Sequence, residues 1–166
     1  MGLRPRRAPF WPRRVLLAGG DSVVSRALLV FLRKEGFDAA VVSDDPGAWG
    51  NELTGRPFAG DAAALDADVI IVSPHVTGPQ RQALCRNVRD RQALRGVPIL
   101  ALRDAGDPDD GARAGTIGGH SGQPSALTAA PASDGADASI AWPFRLREVL
   151  GTIDTLTGGP TRAVLA

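Results

Sequence analysis

Few residues of this 166-residue chain could carry chemistry, and their spacing narrows what that chemistry could be. Ser73 and His75 stand two apart. A serine nucleophile needs a base, and the base needs an acid to orient it. No acid is placed to orient His75, and near neighbours in sequence seldom form such a triad. The other histidine, His120, falls in a stretch rich in Gly, Ser and Asp. Cys85 is the single cysteine, which excludes an internal disulfide, and two histidines with one cysteine do not make a zinc site. No metal or cofactor is therefore expected. Gly19-Gly20, straight after the apolar run Val15 to Ala18, is a different kind of candidate. Glycines between a strand and a helix let the backbone approach a phosphate at the helix N-terminus. Arg81, Arg86, Arg89, Arg91 and Arg95 make one helical segment basic, balanced only by Asp90. That pattern suits a solvated face or an acidic partner. Its sign opposes that of the segment 104–137, with six aspartates against Arg113, so an internal contact is also open. No recognition helix or aromatic platform accompanies the arginines, so nucleic acid is not expected as a partner.

The elements that must position these residues alternate strand with helix. Val15 to Ala18 reads as a strand covered on both faces. Asp21 or Ser22 caps a helix with Val24, Leu28, Phe31 and Leu32 on its inner face, and Gly36 ends it. Phe37 to Ser43 gives a second strand and Asp44-Asp45-Pro46-Gly47 a turn. Residues 46–66 are weakly patterned, with core contact expected from Leu53, Phe58 and Leu65 and at most a short helix. Val69 to Val72 is the clearest strand. The helix after Pro79 has Ala83, Leu84 and Val88 as its inner face and Gly96 as its stop. Val97 to Leu102 is a fourth strand, and residues 104–137 read as a disordered, low-complexity insertion. Ser139-Ile140-Ala141 is a fifth strand. The last helix, Arg145 to Leu156, turns Leu146, Val149, Leu150, Ile153 and Leu156 inward. Such alternation implies βαβ units and a parallel sheet.

Composition sets further bounds. At 43% hydrophobic the chain can bury one core, and a formal net charge of +1 gives no field toward nucleic acid or membrane. Lys34 is the only lysine among the basic residues. No apolar run approaches the roughly 18 residues that span a bilayer. Residues 1–13 form a basic leader that reads either as a flexible tail or as an arm for acidic partners or lipid headgroups, with Phe10 and Trp11 as anchors. Residues 14–158 form the domain and 159–166 a tail. No secretory signal is visible, and the lone cysteine fits a cytoplasmic location.

Three passages resemble strand ends of response-regulator receiver domains: Arg14 to Ser22, Asp68 to Ser73, and Ala141-Trp142-Pro143-Phe144. Glu35-Gly36-Phe37 and Leu94 to Ile99 extend the likeness. The resemblance implies an α/β, flavodoxin-like fold with a doubly wound, five-stranded parallel sheet in the order 2-1-3-4-5. In that family the strand ends carry an acidic pair that holds Mg²⁺, a phosphoryl-accepting aspartate, a Ser or Thr, and a lysine. The corresponding positions here are Gly19 and Gly20, Ser73, Arg103 (Leu102 if the alignment slips by one), and Trp142. Aspartyl phosphorylation needs a carboxylate nucleophile and a divalent cation held by hard oxygen ligands, and these positions supply neither. The expectation is therefore a non-enzymatic, phosphorylation-independent pseudo-receiver that binds another protein. The resemblance places its contact surface at Trp142, Phe144, Arg145 and Arg147. Leu17 to Leu28 also looks like the opening of a short-chain dehydrogenase Rossmann domain. Ser22 and Ser25 stand where that fingerprint has glycines, and the chain has no tyrosine for the family's catalysis. A degenerate nucleotide-binding module and a structural subunit of a larger assembly are the alternatives.

Overall fold

The computed structural model describes residues 13–53, 67–104 and 135–158. Nine elements follow one another: β1 (Arg14–Ala18), α1 (Val23–Lys34), β2 (Asp38–Val42), α2 (Trp49–Glu52), β3 (Val69–Val72), α3 (Gly78–Asp90), β4 (Ile99–Arg103), β5 (Ala138–Ala141) and α4 (Leu146–Thr157). The five strands form one parallel sheet in the order β2-β1-β3-β4-β5, as the sequence implied. β1 lies between β2 and β3, with Leu16 beside both Ala40 and Ile70. Because β1 connects first to the strand on one side and later to the strand on the other, helices cover both faces.

Strand alternation divides the core accordingly. Leu16, Ile70, Ile99 and Ala101 pack with Trp49, Leu84 and Val88 on one face. Val15, Leu17, Ile71 and Leu100 pack with Leu28 and Leu32 of α1 and with Val149 and Ile153 of α4 on the other. This two-sided burial explains why β1, β3 and β4 read as continuous apolar runs. Local chemistry fixes the helix ends. Ser22 caps α1 by accepting the Ser25 amide at 3.0 Å, and Gly36 follows the helix at φ 86°. Gly158 closes α4 in the left-handed conformation.

Several expectations need correction. Ala83 is exposed and Cys85 is buried in its place, because α3 centres its inner face on Arg81, Leu84, Cys85 and Val88. Arg81 is therefore not part of a solvated basic face but fully buried. Leu146 is exposed, since at the first position of α4 its side chain leans toward the N-terminus and away from the sheet. The fourth strand begins at Ile99, with Val97 buried in the approach, and α3 ends at Asp90 with a turn before Gly96. Of the expected insertion 104–137, residues 105–134 lie outside the described residues, and its last three are placed. Ala136 is buried, and Asp137 accepts the Ile99 amide at 2.7 Å and pairs with Arg89 at 2.5 Å. The contact between the basic helix and the acidic segment is thus real at that pair. Phe10, Trp11, Phe58, Leu65 and His120 lie outside the described residues.

Candidate functional site

The residues singled out in the sequence collect at the C-terminal ends of the strands, the usual ligand-binding edge of an open α/β sheet. Gly19 and Gly20 follow β1, Ser73 follows β3, Arg103 ends β4 and Trp142 follows β5. Register brings them side by side. The Ser73 amide donates to the Ala18 carbonyl at 2.8 Å, and the Trp142 amide donates to the Arg103 carbonyl at 2.7 Å.

Between β1 and β3 the edge is filled. Gly19 adopts φ 119° and Gly20 φ 80°, a region that favours glycine. A Cβ placed on Gly19 would stand 2.8 Å from the Ser73 Cβ and 2.8 Å from the Val76 Cγ2, whereas one on Gly20 meets nothing within 4 Å. Val76 is buried, and Ser73 is only 5% exposed. A carboxylate at position 19 therefore has no room without moving the end of β3. The Ser73 hydroxyl sits 3.4 Å from the His75 amide, while the His75 side chain points to solvent, so the two do not form a catalytic pair. Among the described residues no group of three His, Cys, Asp or Glu is placed to hold a metal ion.

The glycine loop does not present its amides to a phosphate. Gly19 N and Gly20 N both donate to the Val42 carbonyl, at 3.1 and 2.9 Å. The Ser25 amide at the start of α1 is taken by Ser22. A shallow recess of about 510 Å³ lies beside this loop, between the ends of β1 and β2, with Asp21, Arg26 and Glu52 in its wall. Arg26 clasps both Asp21 oxygens, and that hydrogen bond holds the Asp21 carboxyl below the usual aspartate range. The Glu52 carboxylate accepts the Ser43 amide at 2.8 Å.

On the other side of the edge the chain presents aromatic surface. Trp142 is 47% exposed and meets Phe144 edge to face, with centroids 5.2 Å apart and planes at 83°. Phe144 rests partly buried on the core beneath α4. Arg145 and Arg147 are exposed at the start of α4, beside the exposed Leu146. All four residues expected at the contact surface thus occupy one short stretch, Trp142 to Arg147. Arg103 is apart from them in character, being buried at 5% exposure.

Sequence reading counts Arg81 among the solvated arginines and gives Val76 no role. Thr77-Gly78-Pro79-Gln80 carries the signature of a capping box with proline in the first turn, and Gln80 indeed accepts the Thr77 amide at 3.2 Å. Recognising it would have placed Val76 and Arg81 at the two positions that usually staple a helix start. Val23 and Val30, exposed at 84% and 68%, were also passed over. They flank Ala27 at helical spacing on the outer face of α1.

No family model matches the chain, and no curated protein does. Solved structures do. The receiver domain of a signal-transduction histidine kinase from Syntrophus aciditrophicus is 20% identical, with a TM-score of 0.57 over 93% of this chain and 96% of that one. A receiver protein from Burkholderia phymatum is 19% identical, with a TM-score of 0.57 over 90% and 98% of the two chains. A chemotaxis response regulator from Vibrio cholerae is 18% identical, with a TM-score of 0.55 over 88% and 99%. The fold of this chain is that of a response-regulator receiver domain.

Proposed function

We propose that this chain is a signalling regulatory module of receiver fold that acts by binding another protein, without being phosphorylated. The observation that carries the reading is the fit of Gly19 against Ser73 and Val76, which leaves no space at 2.8 Å for the side chain that a metal-holding acid would need there. Mg²⁺ demands several oxygen ligands in near-ideal geometry, and the two glycines offer none from side chains. The spent amides of Gly19 and Gly20 speak in the same way against a nucleotide held by this loop.

The contact surface we assign is Trp142, Phe144, Arg145 and Arg147. Trp and Arg are the residue types most often found at energetic centres of interfaces. Neither guanidinium has an ion pair among the described residues. An apolar segment flanked by acidic residues complements this surface. A cytoplasmic setting suits the single, buried thiol of Cys85. Among the described residues no helix is long and apolar enough to cross a membrane.

Thermal unfolding with Mg²⁺ and beryllofluoride, a phosphoryl mimic, tests the reading. A ligand at 100 times its Kd adds about 2.7 kcal/mol of stability. The expected outcome is an unchanged melting curve. A shift of several degrees would show a working acidic site and overturn the proposal.

A further inference from the structure

The segment that closes the strand edge is itself held from beneath. Val76 lies in the loop between β3 and α3, and its amide donates to the Ser73 carbonyl at 3.1 Å. Its own carbonyl accepts Nη1 of Arg81 at 3.2 Å. Arg81 has no exposed surface, and it sits four residues into α3, where an apolar residue would ordinarily staple the helix start. A guanidinium is costly to bury and is retained where its fixed fork of donors is used. The turn before Arg81 is rigid as well, with Pro79 in the first turn of α3 and the Thr77–Gln80 bond across it.

We propose that Arg81 is a positioning residue: its buried guanidinium holds the Val76 carbonyl and so seats the Val76 side chain on Gly19, locking the β3–α3 loop in one closed state. The strand-end pocket is then plugged by the chain itself, and the loop cannot move toward or away from the sheet edge in response to a ligand there. As a statement about regulation this rests on the phosphorylation-independent reading, and it makes the module a constant rather than switched surface.

Amide hydrogen exchange on the full chain tests the lock. In the unaltered protein the Val76 amide should be protected like the strand amides of Leu16 and Ile70. Arg81→Met, which keeps the bulk and removes the donors, should speed exchange at Val76 by about tenfold or more while the strand amides stay unchanged. Arg81→Lys, which keeps a charge and one donor, should recover part of the protection. Equal exchange at Val76 in Arg81→Met and the unaltered chain would overturn the lock. So would rapid exchange at Val76 in the unaltered chain, a measurement that needs no variant to fold. Beryllofluoride binding separates the two claims. A melting shift with a protected loop overturns the functional reading and the plugged pocket, and leaves standing only the hold of Arg81 on the Val76 carbonyl. An unprotected loop with no melting shift does the reverse.

Discussion

Gly19→Ala is the substitution that most directly probes the closed strand edge. The added Cβ would enter at 2.8 Å from both the Ser73 Cβ and the Val76 Cγ2, and the backbone there stands at φ 119°. Holding a non-glycine residue in such a conformation costs of order 1–3 kcal/mol, and forcing a methyl into packed surroundings costs about 1–3 kcal/mol more. A loss of about 4 kcal/mol is therefore expected, a large share of the roughly 5–15 kcal/mol that holds a domain together. Gly20→Ala is the matched control. Gly20 also has positive φ, at 80°, but nothing lies within 4 Å of its Cβ position. Only the strain remains, at about 1–2 kcal/mol. Urea unfolding followed by circular dichroism gives both values. Adding Val76→Ala to Gly19→Ala removes one of the two colliding groups, so the double variant should be less destabilised than the two single losses together by about 1 kcal/mol or more. If Gly19→Ala proves no worse than Gly20→Ala, the edge is open and the reasoning about the acidic site fails.

Trp142→Ala should lower stability by less than about 1 kcal/mol, because nearly half of the ring is already in water, while weakening binding to a protein partner by tenfold or more if the ring is a central anchor. Urea unfolding and a titration with that partner read the two effects, and a large stability loss would make Trp142 a core residue instead. Asp137→Ala should cost about 1–2 kcal/mol, chiefly by taking from the Ile99 amide the carboxylate it donates to at 2.7 Å, since Arg89 keeps the Arg95 and Val97 carbonyls as acceptors. An unchanged unfolding midpoint would show that this tie between α3 and the start of β5 carries no weight. Arg26→Ala should return the Asp21 carboxyl, now held low by its hydrogen bond to Arg26, to the ordinary aspartate range in an NMR titration. The sign follows from that lowering. The pair's contribution is present above the ordinary aspartate pKa and is lost as pH falls through the depressed value, and salt screens it because both groups are exposed. An Asp21 titration unmoved by the substitution would refute the assignment.

How much of this was legible in the sequence varied with the physics of each part. The parallel sheet followed from βαβ spacing and from apolar runs such as Val69 to Val72, whose four residues are all buried, and its strand order from the resemblance to receiver domains. The outer faces were harder. Arg81 reads as one of five solvated arginines, yet three-dimensional packing places it under the β3–α3 loop, where helical periodicity alone gives an arginine no reason to be. Trp49, fully buried with its indole nitrogen donating to the Ser43 carbonyl at 2.9 Å, sits on a helix of four residues, too short to show any period. Asp137 looked like the end of a low-complexity acidic stretch, because composition cannot register a single carboxylate that accepts a strand amide. For the site, the residue types at Gly19, Gly20 and Ser73 were enough to argue missing ligands. That the missing volume is occupied by Val76 required coordinates.

That occupation bears on why such a sheet can keep its shape without strand-end carboxylates. Clustered acids at one edge repel one another and must be desolvated or neutralised by a cation, so they hold strain that function requires. At the Gly19–Ser73 edge of this chain that burden is absent. A small residue on each strand lets β1 and β3 approach, a buried valine fills the space above them, and an arginine fixes the valine's carbonyl. Packing gained there stabilises the same edge that a reactive site would have left open. The β5–α4 junction, by contrast, carries the half-exposed Trp142 edge to face on the partly buried Phe144. Closure at one end of the sheet edge and exposure at the other are what the proposed function would use, since a preorganised surface loses less ordering entropy on association than one that must first be remodelled.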